Sequence, residues 1–434
     1  MIICPSDDLD LSRFEKSTDE LEVLYGLPRK VMFCATCNMS NQQPMSSNEY
    51  SHNSASTKTT LSFDEEGVCH ACRFNKLKES GEIDWDERER ELQELCKQYR
   101  RNDGSYDCIV GGSGGKDSAM QSHLLKYKYG MHPLTVTWSP HQYTDIGWKN
   151  FQNWLHVGGF DNFLCTPNGK IHRLLTRNAT LNLLHPFQPF ILGQKTFVAK
   201  MAAQFNIPLI FYGEMPGEYG EMISHKTSSY ANGRSMVESE GFTLDYVGGR
   251  DVRDIYLGGK QIGAYLDEGV ELVDLMTYLP VPPEVLEHKG IDFKYLGYYK
   301  RWVPQEAYYY AVEHTGFEAN PVRTEGTYSK YNSLDDKVDG FFYFTRWIKF
   351  GVGRAMMDSA QEIRNNHIDK QEAIALMKRY EGEYPARYEK EFLDYISMTR
   401  EEFLATCDQF RSPHLWKVQD GEWKLRHTPW DHTG

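Results

Sequence analysis

From residue 106 onward, short apolar runs alternate with amphipathic stretches of helical length. The run YDCIVG at 106–111 reads as a buried strand, and residues 118–129 behind it carry the spacing of a helix. LTVTW at 134–138 gives a second strand and 148–156 a second helix. A third strand falls at 160–165, helices at 170–184 and 194–205, and a fourth strand at 207–212. Parallel neighbours need a crossover connection, and strands that alternate with helices supply one each time. The pattern therefore predicts an α/β fold, a doubly wound parallel sheet with helices on both faces.

On either side of this block the pattern differs. Residues 1–30 are a polar extension. Residues 31–80 hold two cysteine pairs around a Ser-, Asn- and Thr-rich linker at 42–60, expected to be a mobile loop because it has no apolar periodicity. Residues 81–103 read as a charged helical linker and 104–225 as the nucleotide-binding unit. Residues 226–300 are rich in Gly and Tyr and read as an irregular insertion. Residues 301–434 are mainly helical, with long helical patterns over 336–365 and 369–380.

A chain of 434 residues with 40% hydrophobic and 25% charged positions is long enough for two or three domains. The net charge of −13 argues against a nucleic-acid binder, which needs clustered Lys and Arg. No apolar run approaches the length of a membrane span, and the acidic first residues lack the basic-then-apolar order of a signal peptide. The expected location is the cytoplasm. In that compartment the pairs Cys34-x-x-Cys37 and Cys69-x-x-Cys72, among nine cysteines, point to a metal rather than to disulfides. Four thiolates close a tetrahedral shell, so a structural zinc is expected on Cys34, Cys37, Cys69 and Cys72.

The strongest chemical signal is SGGKDS at 113–118, between a strand and a helix. Gly114 and Gly115 let backbone amides turn toward a phosphate, and the helix behind presents free N–H groups. Lys116 can neutralise phosphate charge, and Ser113 and Ser118 can donate hydrogen bonds. Asp117, an anion beside anions, is assigned to Mg²⁺ or to loop geometry. The spacing is not that of a Walker A loop. After the fourth strand comes YGEMPGEYGE, where Glu214 can hold Mg²⁺ or handle protons, with Glu218 and Glu221 further along the same loop. The polar segment 320–342 and the following helical region add Arg323, Lys330, Arg346, Lys349, Arg354 and Arg364. Of these, Arg323, Lys330 and Arg354 are the candidates to bind an anionic substrate.

The SGGKDS loop resembles the pyrophosphate loop of the ATP-pyrophosphatase superfamily, and Glu214 resembles the Glu of a second loop in asparagine synthetase. The stretches CATCNMSNQQP, FDEEGVCHACRF, GGSGGKDS, TDIGWKNFQNWL, TPNGK, FYGEMPGEYG, RTEGTYSKYNSLDDKVDGF and KFGVGRAMMDSAQEIR, in order over about residues 30–380, are similar to the N-acetyl sugar amidotransferases of bacterial O-antigen and nonulosonic-acid pathways. The resemblance implies an enzyme that uses ATP and Mg²⁺ to adenylate an acetamido oxygen of a nucleotide-linked sugar. Ammonia then displaces AMP to leave an acetamidino group. It implies Lys116, Asp117 and Glu214 as catalytic residues. It also implies a separate glutaminase, with a cyclase-like subunit, as the ammonia source. Zinc-containing tRNA thiolation enzymes share the loop and are the competing reading. They need further catalytic thiols, and the remaining cysteines here are single.

Overall fold

The computed structural model describes residues 9–45, 49–52, 56–220 and 251–431. At its centre is a sheet of five parallel strands: β1 Cys108–Gly111, β2 Pro133–Trp138, β3 Asn162–Cys165, β4 Leu209–Tyr212 and β5 Asp292–Tyr295. Their spatial order is β3-β2-β1-β4-β5. This is the doubly wound parallel sheet that the alternation of strands and helices called for.

The two-residue period of a strand explains how both faces are covered. Ile109, Ile210 and Phe293 face helix Gln188–Phe205, through Val198, Ala199 and Ala202. Cys108, Val110, Leu209 and Phe211 point the other way, onto Leu92 and Cys96 of helix Trp85–Tyr99 and onto Leu125. That helix begins where the Asp84 carboxylate accepts the N–H groups of Asp86 and Glu87.

Three expectations need correction. Residues 226–300 are not simply irregular: their described part, 251–300, holds the fifth strand, whose four residues are too few to stand out among Gly and Tyr. The linker at 42–60 is not a free loop in its described residues. Gln42 and Glu49 are buried, Gln42 Nε2 donates to Pro28 O at 2.9 Å, and Pro44 bridges Thr60. The long helical pattern over 336–365 is two helices, Asp339–Phe350 and Arg354–Arg364. The break falls at Gly351, left-handed at φ +65°, and Glu381 then accepts the Gly353 and Met356 N–H groups at the new N-terminus.

The N-terminal extension packs on the other end of the chain. Phe14 meets Trp423 edge to face at 4.8 Å, Leu24 N–H donates to Ser412 Oγ, and Tyr25 Oη donates to Phe410 O. Trp423 belongs to a hairpin, Trp416–Gln419 with Glu422–Leu425, in the otherwise helical C-terminal region.

Helix His70–Glu79 is tied to the segment after β4 by a buried ion pair. Lys78 Nζ lies 2.7 and 2.8 Å from the two carboxylate oxygens of Glu218, with side chains 2% and 8% exposed. Removing one partner strands the other charge in a low dielectric. Lys78→Met or Glu218→Gln alone is expected to cost about 3–5 kcal/mol in chemical denaturation, whereas Lys78→Met with Glu218→Leu should recover most of that loss. Equal losses for single and double variants would show that the pair's charges are not what matters.

Candidate functional site

Strand order reverses at β1, with β2 on one side and β4 on the other. The loops leaving the carboxyl ends of β1 and β4 therefore diverge and open a crevice, the usual ligand position in such sheets. SGGKDS leaves β1 here. Gly114 sits at φ +85°, and a Cβ on it would stand 2.7 Å from Phe151 Cα, so only glycine fits the turn. Helix Lys116–His123 starts at once, with Gly115 as its cap, and points its free amides into the crevice. Ser118 Oγ donates to Gly115 O at 3.1 Å and Lys116 Nζ lies 2.6 Å from Asp117 Oδ2. The other oxygen of Asp117 is buried and has no hydrogen-bond partner.

The loop after β4 brings Glu214 to the same cavity as Ser113, Gly114, Gly115, Lys116 and Asp117. Tyr219 Oη donates to the Glu214 carboxylate. Burial, and then the negative charge of Asp117, raise the Glu214 pKa above the usual carboxylate range. Glu218 is not at the site, because Lys78 holds it in the interior. Glu221 lies outside the described residues.

The far wall comes from the C-terminal half. Tyr143 and Asp336 form an antiparallel bridge, Thr144 N–H donates to Asp335 O, and Thr144 Oγ1 donates to Leu334 O while accepting the Gly147 N–H. Asn150 exchanges two hydrogen bonds with the Glu318 backbone, at 2.9 and 2.8 Å. These contacts lay residues 331–336 across the loop, so that Asp335 lines the same cavity as Ser113. Burial raises Asp335, and it raises Asp339 further with help from the charges of Asp335 and Asp336. Asp336 accepts from His141 N–H at 2.7 Å and lies 2.8 Å from His141 Nδ1.

The cavity measures about 360 Å³. Arg354 lines it, with Nε 2.9 Å from Asp358 Oδ1 and Nη1 donating to Tyr343 Oη at 2.5 Å. The other two cations proposed for the substrate do not reach it. Arg323 forks onto Glu383 at 2.5 and 2.7 Å and stacks over Tyr380, and Lys330 is exposed. Arg323 is used up by an acid sixty residues away in sequence, which no local pattern reveals. Asp335, Asp336, Asp339, Asp358 and Tyr343 line the cavity and were not singled out. For Asp335, Asp336 and Asp339 the signal was the polar density of NSLDDKVDGF before an apolar helix.

The four cysteine sulfurs lie within 4.8 Å of one another, with Cys34 Sγ to Cys72 Sγ at 3.9 Å and Cys37 Sγ to Cys69 Sγ at 3.7 Å. Metal–sulfur bonds of about 2.3 Å give a tetrahedron with edges of about 3.8 Å, so the cluster fits one zinc ion. A multi-iron cluster would hold the sulfurs further apart. Cys69 and Thr36 donate N–H groups to Cys34 Sγ, as a thiolate requires. The knuckle packs against Ala355, Met356, Ala360, Ile374 and Met377 of two C-terminal helices. Its Met39, Gln43, Leu61 and Ala71 line the cavity. Arg364 bridges the two, lining the cavity with Nη1 3.8 Å from Cys37 Sγ and Nη2 donating to Glu218 O.

Residues 325–428 match the family model of the WbpG-like LPS biosynthesis protein C-terminal domain. This part of the chain is similar to that family. The match bears out the resemblance read from the sequence segments. A curated relative, an uncharacterized protein of Methanocaldococcus jannaschii, is 30% identical over 88 residues, 18% of this chain; the chain spans only 28% of that relative's length. Among solved structures, the NH3-dependent NAD synthetase of Campylobacter jejuni is 13% identical and covers 48% of this chain and 92% of its own, at a TM-score of 0.25. The NMN synthetase of Francisella tularensis is 12% identical, covering 48% and 93%, with TM-score 0.22. The U34-tRNA thiolase NcsA of Methanococcus maripaludis, solved with its [4Fe-4S] cluster, is 10% identical, covering 81% and 90%, with TM-score 0.29. No helix among the described residues is long and apolar enough to cross a membrane.

Two outcomes test this geometry. Elemental analysis should find about one zinc per chain, and Cys72→Ser should lose it and loosen the cavity wall as well as the knuckle, since both share one apolar cluster. Full alkylation of all four thiols in native, metal-free protein would contradict the assignment. A Cβ on Gly147 would lie 2.4 Å from Asp335 Cα, backbone against backbone. Gly147→Ala should destabilise the protein by about 1–3 kcal/mol and cut turnover about 100-fold by displacing Asp335. Unchanged turnover would remove residues 331–336 from the site.

Proposed function

We propose that the protein is an ATP-dependent amidotransferase that converts an acetamido group of a nucleotide-linked sugar to an acetamidino group, releasing AMP and pyrophosphate. The observation that carries this reading is the single cavity in which the SGGKDS loop faces Glu214, Asp335 and Arg354 from three other segments. The helix N-terminus, Lys116 and the glycine amides suit the β- and γ-phosphates of ATP, which leaves the α-phosphorus open to the amide oxygen. Asp117, with an unpartnered buried oxygen, is the carboxylate that would hold Mg²⁺, which neutralises phosphate charge when bound, and Glu214, near enough to feel the charge of Asp117, is left free to handle protons.

In the first step the amide oxygen attacks the α-phosphorus and pyrophosphate leaves. In the second, ammonia adds to the activated carbon, AMP departs with its oxygen, and one proton must be removed. Glu214 suits that task. Its raised pKa makes it a stronger base than an ordinary carboxylate, and Tyr219 fixes its orientation. The enclosing wall of residues 331–336 and the knuckle keeps out water, whose attack would only regenerate the amide. Ammonia is taken to come from a separate glutaminase, with a cyclase-like subunit, acting in the cytoplasm. The thiolation reading needs further catalytic thiols, and among the described residues no cysteine lines the cavity, while Cys96, Cys108 and Cys407 are buried in the core.

Mass spectrometry of acetamido nucleotide sugars incubated with protein, ATP and ammonium should show a product lighter by about one mass unit, as O is exchanged for NH, together with AMP and pyrophosphate. ADP and inorganic phosphate would contradict it. Glu214→Gln should lower turnover about 100-fold with ATP affinity nearly intact. The rate should rise with pH as Glu214 loses its proton. Because its pKa is raised, that acid limb should lie above the range of an ordinary carboxylate and should flatten in Glu214→Gln.

A further inference from the structure

A second, small cavity adjoins the main one. Pro304, Tyr331, Asn332, Asp358 and Gln361 line both, so these residues stand between the two spaces. Its volume is about 10 Å³, against about 360 Å³ for the main cavity. That is room for one water-sized molecule and for no part of a nucleotide. One side of it is a face of helix Arg354–Arg364 and its cap, where Asp358, Gln361, Glu362 and Asn365 recur at spacings of three and four. The outer edge is at the surface, where His367 is exposed. The shared wall is held in place. Tyr331 stacks on Tyr308 with ring centroids 4.6 Å apart, and the Tyr331 and Asn332 N–H groups both donate to Ser329 Oγ, at 3.3 and 3.2 Å.

The two spaces differ in charge. The main cavity carries Lys116, Arg354 and Arg364, whereas among the described residues no lysine or arginine lines the small one. Asp358 is already occupied: Arg354 Nε lies 2.9 Å from one of its oxygens and Thr327 Oγ1 donates to the other at 2.6 Å. Glu362 forms no ion pair among the described residues, and burial, then the charge of Asp358, raise its pKa above the usual carboxylate range. The side-chain amides of Gln305, Gln361 and Asn365 line the same space. Asn365 Nδ2 donates to Gln361 O at 3.0 Å, which leaves the Asn365 amide oxygen as an acceptor. A carboxylate and amide oxygens with no cation beside them suit a small cation that donates hydrogen bonds on every side.

We propose that this side cavity is the entrance for the nitrogen donor, with Glu362 drawing it from solvent as ammonium. The inference rests on the reaction given above and adds a route to it. ATP and the nucleotide-linked sugar, large and anionic, find neither room nor counter-charge in the side cavity. Bound in the main cavity, they obstruct the path that ammonia would otherwise take. Water is as small as ammonia, and charge separates the two here, since at neutral pH the donor is mostly a cation. At the mouth ammonium gives a proton to water, the electron pair of that N–H bond stays on nitrogen, and neutral ammonia passes Gln361 and Tyr331 to the activated carbon.

The test is the rate of amidine formation by the full chain, with ammonium titrated at saturating ATP and nucleotide-linked sugar. Asn365→Phe, which fills the side cavity from its outer end, should raise the ammonium KM about tenfold or more. Glu362→Gln, which keeps the shape and removes the charge, should raise it about fivefold. Asn365→Ala should leave it at or below the wild-type value. In all three variants the KM values for ATP and sugar, and kcat at saturating ammonium, should stay within about twofold of wild type. That split sets an entrance apart from general damage to the site, which would move every constant together. An ammonium KM within about twofold of wild type in Glu362→Gln, or in a folded Asn365→Phe, would overturn the proposal, as would an equal rise in the ATP or sugar KM. Amidine formation with an ammonium KM indifferent to these residues would discard the entrance and keep the reaction. A wild-type protein that makes no amidine at any ammonium concentration would discard both.

Discussion

Backbone passes backbone where Gly147 meets Asp335, so close that a Cβ on Gly147 would sit 2.4 Å from Asp335 Cα. Around that contact Thr144 and the bridge between Tyr143 and Asp336 fasten a C-terminal segment across the end of the sheet. The sheet alone offers one wall, because the loops after β1 and β4 both rise from its carboxyl edge. The clamp adds the opposite wall and turns an open crevice into a cavity of about 360 Å³. Adenylation of a second molecule by ATP needs such a cavity, since both reactants must be held in contact and water kept away.

Charge in that cavity is distributed by neighbourhood rather than by count. Asp336 is held by His141 and by backbone N–H groups, and Asp358 by Arg354 and Thr327. Glu214, Asp335 and Asp339 lack a cation of their own and have raised pKa values, with burial the main cause in each case. Carboxyls in that condition can carry protons or wait for a metal ion, whereas the paired ones serve as struts. The same logic applies to the cations: Lys78 and Arg323 are neutralised within the fold, by Glu218 and Glu383.

The cysteine knuckle belongs to this architecture as a wall. Its apolar residues merge with those of helices Arg354–Arg364 and Lys370–Tyr380, and Arg364 reaches from Cys37 to the cavity. Four thiolates around one zinc carry net negative charge, so a buried arginine beside them is well placed. Holding the knuckle thereby holds one side of the ligand space.

Wherever chemistry depends on neighbours in the chain, the sequence by itself determined the outcome. The alternation of strands and helices over 106–212 set the parallel sheet, because each strand length and each crossover is a local property. The SGGKDS turn and the two C-x-x-C pairs were legible for the same reason: a glycine turn before a helix and two thiols on one turn are short-range geometry. Glu214 could be placed because it directly follows a strand that ends beside the loop. Tertiary structure decided what rests on distant partners. Arg323 and Lys330 looked like Arg354 in sequence, yet Glu383 captures the first and the second is exposed. Asp335 became part of the site only through Gly147, almost two hundred residues earlier. Glu218 left the site for Lys78, and Glu49 is shared by Lys58 and Lys349, about three hundred residues apart in sequence. A side chain's type follows from the sequence, but whether its charge is spent or free depends on which opposite charge folding brings within a few ångströms.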